Sequence, residues 1–165
     1  MRALDLNRLN VIAPYSIWLV GKYSYGLKTA YGVQYRIVFI EDHTIWQSGA
    51  YEFGIVNENG HPSPNDRKLR ETIYAVIEEF FRCNPEILLY QCETGDNRQA
   101  MSDRLFFRWF EEYNDCGKFF IKVSKIVGEG VDNYAAVIVQ RDNPHLQQII
   151  GDFEQFTGFF RNKPE

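Results

Sequence analysis

The stretch between positions 93 and 108 holds the side chains best suited to chemistry. Glu93 and Asp96 carry carboxylates, which act as general bases or hold a metal-bound water in many enzymes. The arginines that follow carry guanidinium groups, whose planar pairs of donors match phosphate or carboxylate. The candidate ligand- or partner-binding residues are therefore Glu93, Asp96, Arg98, Gln99, Arg104 and Arg108.

The elements around these residues would place them at a favourable position. The apolar run Ile87–Cys92 predicts a central strand, and a helix is predicted after a polar loop, from about Arg98 to Tyr113. Ligands often bind where a strand ends and a helix begins, because the first helical turn presents free N–H groups to an anion. The residues favour a structural interpretation over ligand contact. Asp96 or Asn97 would cap the helix, Arg98 would pair with Glu93 or Asp96, and Arg108 would pair with Glu112.

Complete catalytic motifs are absent from the sequence. It contains no G-x-x-x-x-G-K-[ST] loop, no H-E-x-x-H helix and no G-x-S-x-G elbow. His43, His61 and His145 stand in polar or turn contexts, which predicts exposed turn residues; a general base brought in by the fold is the alternative. The sequence therefore predicts no metal and no cofactor, leaves the catalytic residues unknown, and favours a protein that is not an enzyme.

Charge, cysteines and hydropathy exclude several classes of protein. The net charge of −4 disfavours a protein that coats nucleic acid, although a local basic patch stays compatible with it. Three cysteines without C-x-x-C spacing disfavour a disulfide scaffold and a cysteine zinc site. No run approaches the roughly 18 apolar residues of a membrane span, and the N-terminal segment lacks the apolar core of a signal peptide. We expect a cytoplasmic protein without membrane contact.

The sequence pattern of the first half of the chain predicts β-strands. Tyr15–Val20 is a short apolar run, and alternation of apolar and polar residues follows in 33–39 and 51–55. Glycines between these runs mark turns, so a meander of about four antiparallel strands is expected.

Helices and two further strands are predicted downstream. Ser63 as a cap, Pro64 at the first helical position and Asp66 in the first turn predict a helix that ends at Asn84-Pro85. Its apolar stripe comprises Leu69, Ile73, Val76, Ile77, Phe80 and Phe81. Strands are predicted from Phe119 and over Tyr134–Arg141, and a last helix begins at Asn143-Pro144.

Lysines surround the strand that begins at Phe119. Lys118, Lys122 and Lys125 favour an edge strand protected against aggregation. The alternative is that they form a basic patch together with Arg104 and Arg108.

These elements define an α+β fold. The predicted order is ββββ-α-β-α-ββ-α, a mostly antiparallel sheet with three helices. The length of 165 residues fits one domain, 1–165, with segment 1–13 left open as a flexible extension.

The chain resembles a family of small uncharacterised bacterial proteins known as a domain of unknown function. The resemblance is carried by Pro14-Tyr15-Ser16, Tyr51-x-Phe53, Asp66 with Thr72-Ile73, Phe80-Phe81-x-x-Asn84-Pro85, Leu88-x-Tyr90-x-Cys92, Asp96-x-Arg98-Gln99-Ala100, Arg104-Leu105-Phe106-x-x-Trp109-Phe110 and Arg141-Asp142-Asn143-Pro144. It covers nearly the full length and implies a bacterial, cytoplasmic, single-domain protein. The family implies no mechanism, but its signature contains Asp96, Arg98, Gln99 and Arg104.

Two functions are compatible with this sequence. The aromatic fraction of 16% and the lack of a catalytic constellation favour a small interaction or regulatory protein, antitoxin-like or associated with defence. Its partner would be a macromolecule, either a protein or a second copy of the chain. The alternative is an enzyme or binder that acts on a phosphate-bearing substrate, RNA or nucleotide, at the loop and helix around Asp96–Arg104.

Overall fold

The computed structural model describes residues 1–62, 64–93, 103–114, 117–128 and 131–161, with the backbone alone described in 91–93, 103–107, 125–128, 131–133 and 159–161. The helices are α1 (Leu6–Ile12), α2 (Arg67–Cys83), α3 (Asp103–Tyr113) and α4 (Leu146–Arg161). The strands are β1 (Ile17–Gly21), β2 (Ser24–Lys28), β3 (Gln34–Asp42), β4 (Ala50–Asn57), β5 (Leu88–Glu93), β6 (Phe119–Gly128) and β7 (Val131–Gln140). In this part of the chain, no helix has both the length and the apolar character needed to cross a membrane.

The strands form one sheet in the order β1-β2-β3-β4-β5-β7-β6. Neighbouring strands are antiparallel except for β4 and β5, which are parallel. The predicted α+β class with a mostly antiparallel sheet is confirmed. β5 lies in the interior of the sheet, as its continuous apolar run predicts.

The number of helices was underestimated, because the described residues contain a fourth helix, α1, ahead of the first strand. This helix has only seven residues, and Leu9 is its only buried side chain. So short a segment shows no helical periodicity in the sequence. Asp5 caps α1 by accepting a hydrogen bond from the amide of Arg8, and the preceding backbone is tied to the body by Arg2, whose amide donates to Asn84.

The start of α2 also differs from the sequence-based expectation. The helix begins at Arg67 rather than Pro64, and its cap is Asp66. The carboxylate of Asp66 accepts hydrogen bonds from the amide of Leu69 and from the hydroxyl of Tyr15, at 2.7 Å in the second case. Capping rules use only residues close in the sequence, and Tyr15 is 51 positions away. They therefore do not reveal that the hydrogen bond from Tyr15 fixes Asp66 as the cap. The predicted stripe of α2 is buried, as is its predicted end at Asn84.

Helices cover the two faces of the sheet unequally. Side chains of α1, α2 and α3 form one core with β1–β5 and parts of β6 and β7, in which Phe39 stacks on Phe80 with ring centroids 5.1 Å apart. On the opposite face, α4 covers β6 and β7 and forms a second, smaller core around Phe153 and Val137. The other half of that face, on β1–β4, has no helix on it within the described residues.

Strand β6 is an edge of the sheet, as the lysine pattern favours. The ammonium group of Lys118 lies 3.3 Å from Glu78 of α2, and that of Lys122 donates to Glu154 of α4. These lysines therefore join the edge strand to helices on both faces.

Candidate functional site

The residues predicted from the sequence to bind a ligand fall mostly where the structure gives no side-chain geometry. Glu93 ends β5 and Arg104 lies in the first turn of α3, and only their backbones are described. Asp96, Arg98 and Gln99 lie outside the described residues. Their convergence on a ligand stays a prediction.

Arg108 is the one member of that set whose side-chain environment is described. It lies on α3 and is exposed, while its neighbours Trp109 and Phe110 are buried in the core. Among the ion pairs of the described residues, none joins Arg108 to Glu112. An exposed cation is compatible with ligand contact, but by itself it does not define a site.

The other candidate chemical groups prove to be structural or solvent-exposed. All three histidines are exposed, as the sequence predicts. His43 has both ring nitrogens engaged, one 3.0 Å from the carbonyl of Gln47 and the other 2.9 Å from Glu41. Within the described residues, no group of three His, Cys, Asp or Glu side chains has the geometry to hold a metal ion.

A buried carboxylate, Glu79, joins α1 to α2. Arg82 donates two hydrogen bonds to it, at 2.6 and 3.0 Å, and Nε of Arg8 lies 3.6 Å away. Burial alone would raise the pKa of Glu79, but hydrogen bonds from Arg82 and Cys83 hold that pKa below its ordinary value. Burial and the Glu79 carboxylate raise the pKa of the Cys83 thiol, so this cysteine is not an activated nucleophile.

A cavity of about 810 Å³ lies between α4, the β3–β4 loop and the residues before β5. This volume is in the range of small-molecule sites. Its lining includes the buried Trp46, whose indole N–H has no hydrogen-bond partner among the described residues. Ser48 and His145 also line the cavity, and a histidine that accepts the proton of a serine would activate that serine as a nucleophile. Among the hydrogen bonds of the described residues, none joins these two side chains. The cavity offers space and polar groups but no reactive pair.

The most unusual surface is the uncovered half of the sheet, which we call the bare face. It carries the apolar side chains of Trp18, Val20, Val38, Ile40 and Val56 on β1, β3 and β4. Trp18 is 45% exposed, Val20 51%, Ile40 58% and Val56 41%. Alternate residues of the same strands, such as Ile17 and Ile37, are buried against the helices on the other side. Contiguous apolar side chains on a sheet face are typical of an interaction surface.

Two glycines keep the bare face flat. A Cβ atom at Gly26 would lie 2.6 Å from Nε1 of Trp18 and 2.9 Å from a methyl group of Val20. A Cβ atom at Gly54 would lie 3.0 Å from a methyl group of Val38. The indole of Trp18 therefore packs flat against β2 at Gly26. The resulting surface is suited to packing against another flat surface.

Charged residues occupy opposite ends of the bare face. Lys28 and Arg36 lie at one end, where Nε of Arg36 is 3.0 Å from Glu58. Asp42 and Glu52 lie at the other end. Glu52 is half-buried and has no hydrogen-bond or ion-pair partner among the described residues; burial and the nearby charge of Asp42 raise its pKa.

Sequence reasoning found the strands of this surface but not the surface itself. The alternation in 33–39 and 51–55 predicts one buried and one exposed face for each strand. Which strands are covered on this face depends on the position of α4, which is distant from these strands in the sequence. The signal that was available is local: Trp18, Val38, Ile40 and Val56 are apolar at positions where a half-buried strand normally carries polar residues.

Comparison with protein families places the chain. A family of unknown function, DUF6169, matches residues 65–155, which is more than half of the chain. The chain belongs to DUF6169. The match spans α2 to most of α4, including the predicted residues from Glu93 to Arg108, whereas the early motifs of the resemblance lie before it. No curated protein matches the chain. In this DUF6169 chain, the strands of the bare face precede the matched region.

Proposed function

We propose that the protein is a small interaction protein of the bacterial cytoplasm that binds another protein through its bare face. A regulatory or accessory role, of the antitoxin-like or defence-associated kind, is the form of this proposal that the sequence favours. The observation that supports it most is the contrast within one sheet face, where α4 covers one half and leaves apolar side chains of Trp18, Ile40 and Val56 open on the other.

The physical argument is the cost of this exposure. Apolar surface in water is unfavourable by about 25 cal/mol per Å² relative to burial, and monomeric proteins rarely expose large contiguous apolar patches. Tryptophan is among the residues that contribute most to binding when a partner buries it. A protein partner is favoured over nucleic acid, because the chain has a net charge of −4 and the bare face carries both signs of charge.

Native mass spectrometry of the protein, purified gently from its own host, tests the proposal. Three forms are compared: the wild type, Trp18→Lys, and Val11→Lys as a matched control. Val11 is apolar and 85% exposed but lies on α1, away from the bare face. The expected result is an added protein mass on the wild type and the control, whether another chain or a second copy, and its loss from Trp18→Lys.

Two results would contradict the proposal. One is a wild type that carries no added mass. The other is an added mass that Trp18→Lys retains in full. If that retained mass is a nucleotide or RNA, the result would favour the phosphate-binding alternative at Asp96–Arg104.

A further inference from the structure

The β3–β4 loop forms one wall of the cavity beside α4, and contacts within the loop hold this wall in place. The ring of His43 is held between Glu41 and the carbonyl of Gln47. The amide of Gly49 donates to the carbonyl of Trp46 at 3.0 Å, and Gly49 has a φ of 92°, which glycine adopts without strain. These contacts position Trp46 before any ligand binds.

The opposite wall is the start of α4, and it is not an open site for an anion. Asn143 already accepts two hydrogen bonds there, with its side chain from the amide of His145 at 2.8 Å and with its carbonyl from the amide of Leu146 at 3.1 Å. Among the described residues that line the cavity, none is lysine or arginine. A phosphate or carboxylate would therefore meet no permanent cation and few free donors.

Two carboxylates line the cavity from different elements. Glu86 lies on the segment between α2 and β5, Asp152 lies on α4, and both are half-buried. Asp152 accepts a hydrogen bond from the side-chain amide of Gln148 at 3.0 Å. Within the described parts of the chain, neither carboxylate has a lysine or arginine partner, and Glu86 has no hydrogen-bond partner. Half-buried carboxylates without a counter-ion favour the binding of a cation.

Trp46 adds a hydrogen-bond donor that lacks an acceptor. The residue is 7% exposed, and its buried indole N–H has no partner among the described residues. Buried polar groups are normally hydrogen-bonded, so an unpaired donor in the wall of a cavity indicates where an acceptor of a ligand would lie. A carbonyl oxygen suits this position, because it accepts a hydrogen bond without adding a negative charge near Glu86 and Asp152.

We propose that this cavity binds an organic cation of the guanidinium or ammonium class that also carries a carbonyl group. The cation pairs with the carboxylates of Glu86 and Asp152, and the carbonyl oxygen accepts a hydrogen bond from the indole of Trp46. The volume of about 810 Å³ accommodates a ligand of amino-acid size. The inference goes beyond the proposed function, because it concerns a cavity and not the bare face.

NMR titration of the isotope-labelled protein with Nα-acetyl-L-argininamide tests the inference. Trp46→Phe identifies the indole N–H resonance of Trp46 by its loss. The probe should shift this resonance with a dissociation constant on the order of 0.1–1 mM. The resonance of Trp109, which is buried in the core on the other side of the sheet, should not move. The matched probe Nα-acetyl-L-citrullinamide, in which a neutral urea replaces the guanidinium, should bind at least about tenfold more weakly.

Charge variants assign the binding to the cavity. Glu86→Gln combined with Asp152→Asn should weaken binding of the arginine probe at least about tenfold. Glu111→Gln removes an exposed carboxylate on α3 and should leave binding unchanged. Three results would overturn the inference: a Trp46 resonance that does not move up to about 20 mM probe, well above the expected dissociation constant, equal affinity for the two probes, or full affinity in the double variant. None of these variants alters the bare face, so the proposed function is tested separately.

Discussion

The two halves of one sheet face differ in whether a helix covers them. Under α4, the strands β5, β7 and β6 carry buried side chains such as Leu89 and Val137, which are 2% and 0% exposed. On β1–β4 the same face carries Trp18 and Ile40, of similar apolar character, at 45% and 58% exposed. Apolar side chains therefore occur in both halves, but only one half has a helix over them in the part of the chain that the structure describes. The difference teaches that apolar side chains on this face do not by themselves bring a covering helix, and the proposed function assigns the cover of β1–β4 to a protein partner.

Truncation of a core residue under α4 should have the largest effect on stability. Phe153 is fully buried, so Phe153→Ala is expected to cost about 3–5 kcal/mol of unfolding free energy. Trp18→Ala at low protein concentration should cost about 1–2 kcal/mol, because its half-open ring leaves no closed cavity. Urea denaturation of both variants measures the difference. Equal losses would mean that the two halves of the face do not differ energetically.

Two carboxylates sharpen the comparison, because their pKa values are shifted in opposite directions. Glu79 lies on α2, over the face of the sheet opposite the bare face, and its pKa is lowered. Its contribution to stability is therefore present above its unfolded pKa and is lost as the pH falls through its folded pKa. Glu79→Gln should therefore cost about 1–3 kcal/mol at pH 7. The cost should shrink below about pH 4, where the carboxylate of the unfolded chain is protonated. Denaturation curves at several pH values test this, and a cost that is constant with pH would contradict it.

Filling the flat part of the bare face should have a moderate effect. In Gly26→Ala, the new methyl group would lie 2.6 Å from Nε1 of Trp18, so the indole must lift away from the sheet. Because that ring is half-exposed and free to move outward, the cost should be about 1 kcal/mol, the low end for overpacking. A red shift of the fluorescence of Trp18 and weaker binding of the protein partner should accompany it. Gly60→Ala is not a fair control, since Gly60 has a positive φ. Gly151→Ala, in the interior of α4 where a Cβ meets nothing within 4 Å, should instead stabilise the protein by up to about 1 kcal/mol through helix propensity and leave Trp18 unchanged.

The smallest effect is expected at Glu52. Burial and Asp42 raise the pKa of Glu52, so its charged form costs stability at pH values above that folded pKa and costs nothing below the unfolded pKa. At concentrations where the protein is monomeric, Glu52→Gln should stabilise it at pH 7 by less than about 1 kcal/mol. The gain should disappear below about pH 4. A loss of stability in the monomer would show that Glu52 already has a stabilising partner within its own chain.

The fold was largely predictable because its signals are local. The stripe of α2, with Ile73 and Phe80, and the alternation around Ile37 follow from helical and strand periodicity. The start of α2 at Asp66 was not predictable, because the buried hydrogen bond from Tyr15 crosses 51 positions. The helix α1 was missed because seven residues are too few to show a period.

The candidate surface was less predictable than the fold. The sequence drew attention to polar residues near Glu93 and Arg104, because charged side chains after a strand are a familiar sign of ligand binding. The bare face is instead an apolar surface, whose exposure depends on how far α4 extends across the sheet. The local hints were Trp18, an aromatic residue in a short strand with apolar neighbours, and the apolar residues at 38, 40 and 56.

The most direct test of the bare face as a protein-binding surface is acrylamide quenching of tryptophan fluorescence in the free and the partner-bound chain. Of the three tryptophans, Trp46 and Trp109 are 7% and 3% exposed, so quenching of the free chain reports mainly on Trp18. The quenching of Trp18, taken as the difference between the wild type and Trp18→Phe, should fall when the protein partner binds and covers the ring. Quenching of Trp18 that is the same in the free and the bound chain would contradict the account.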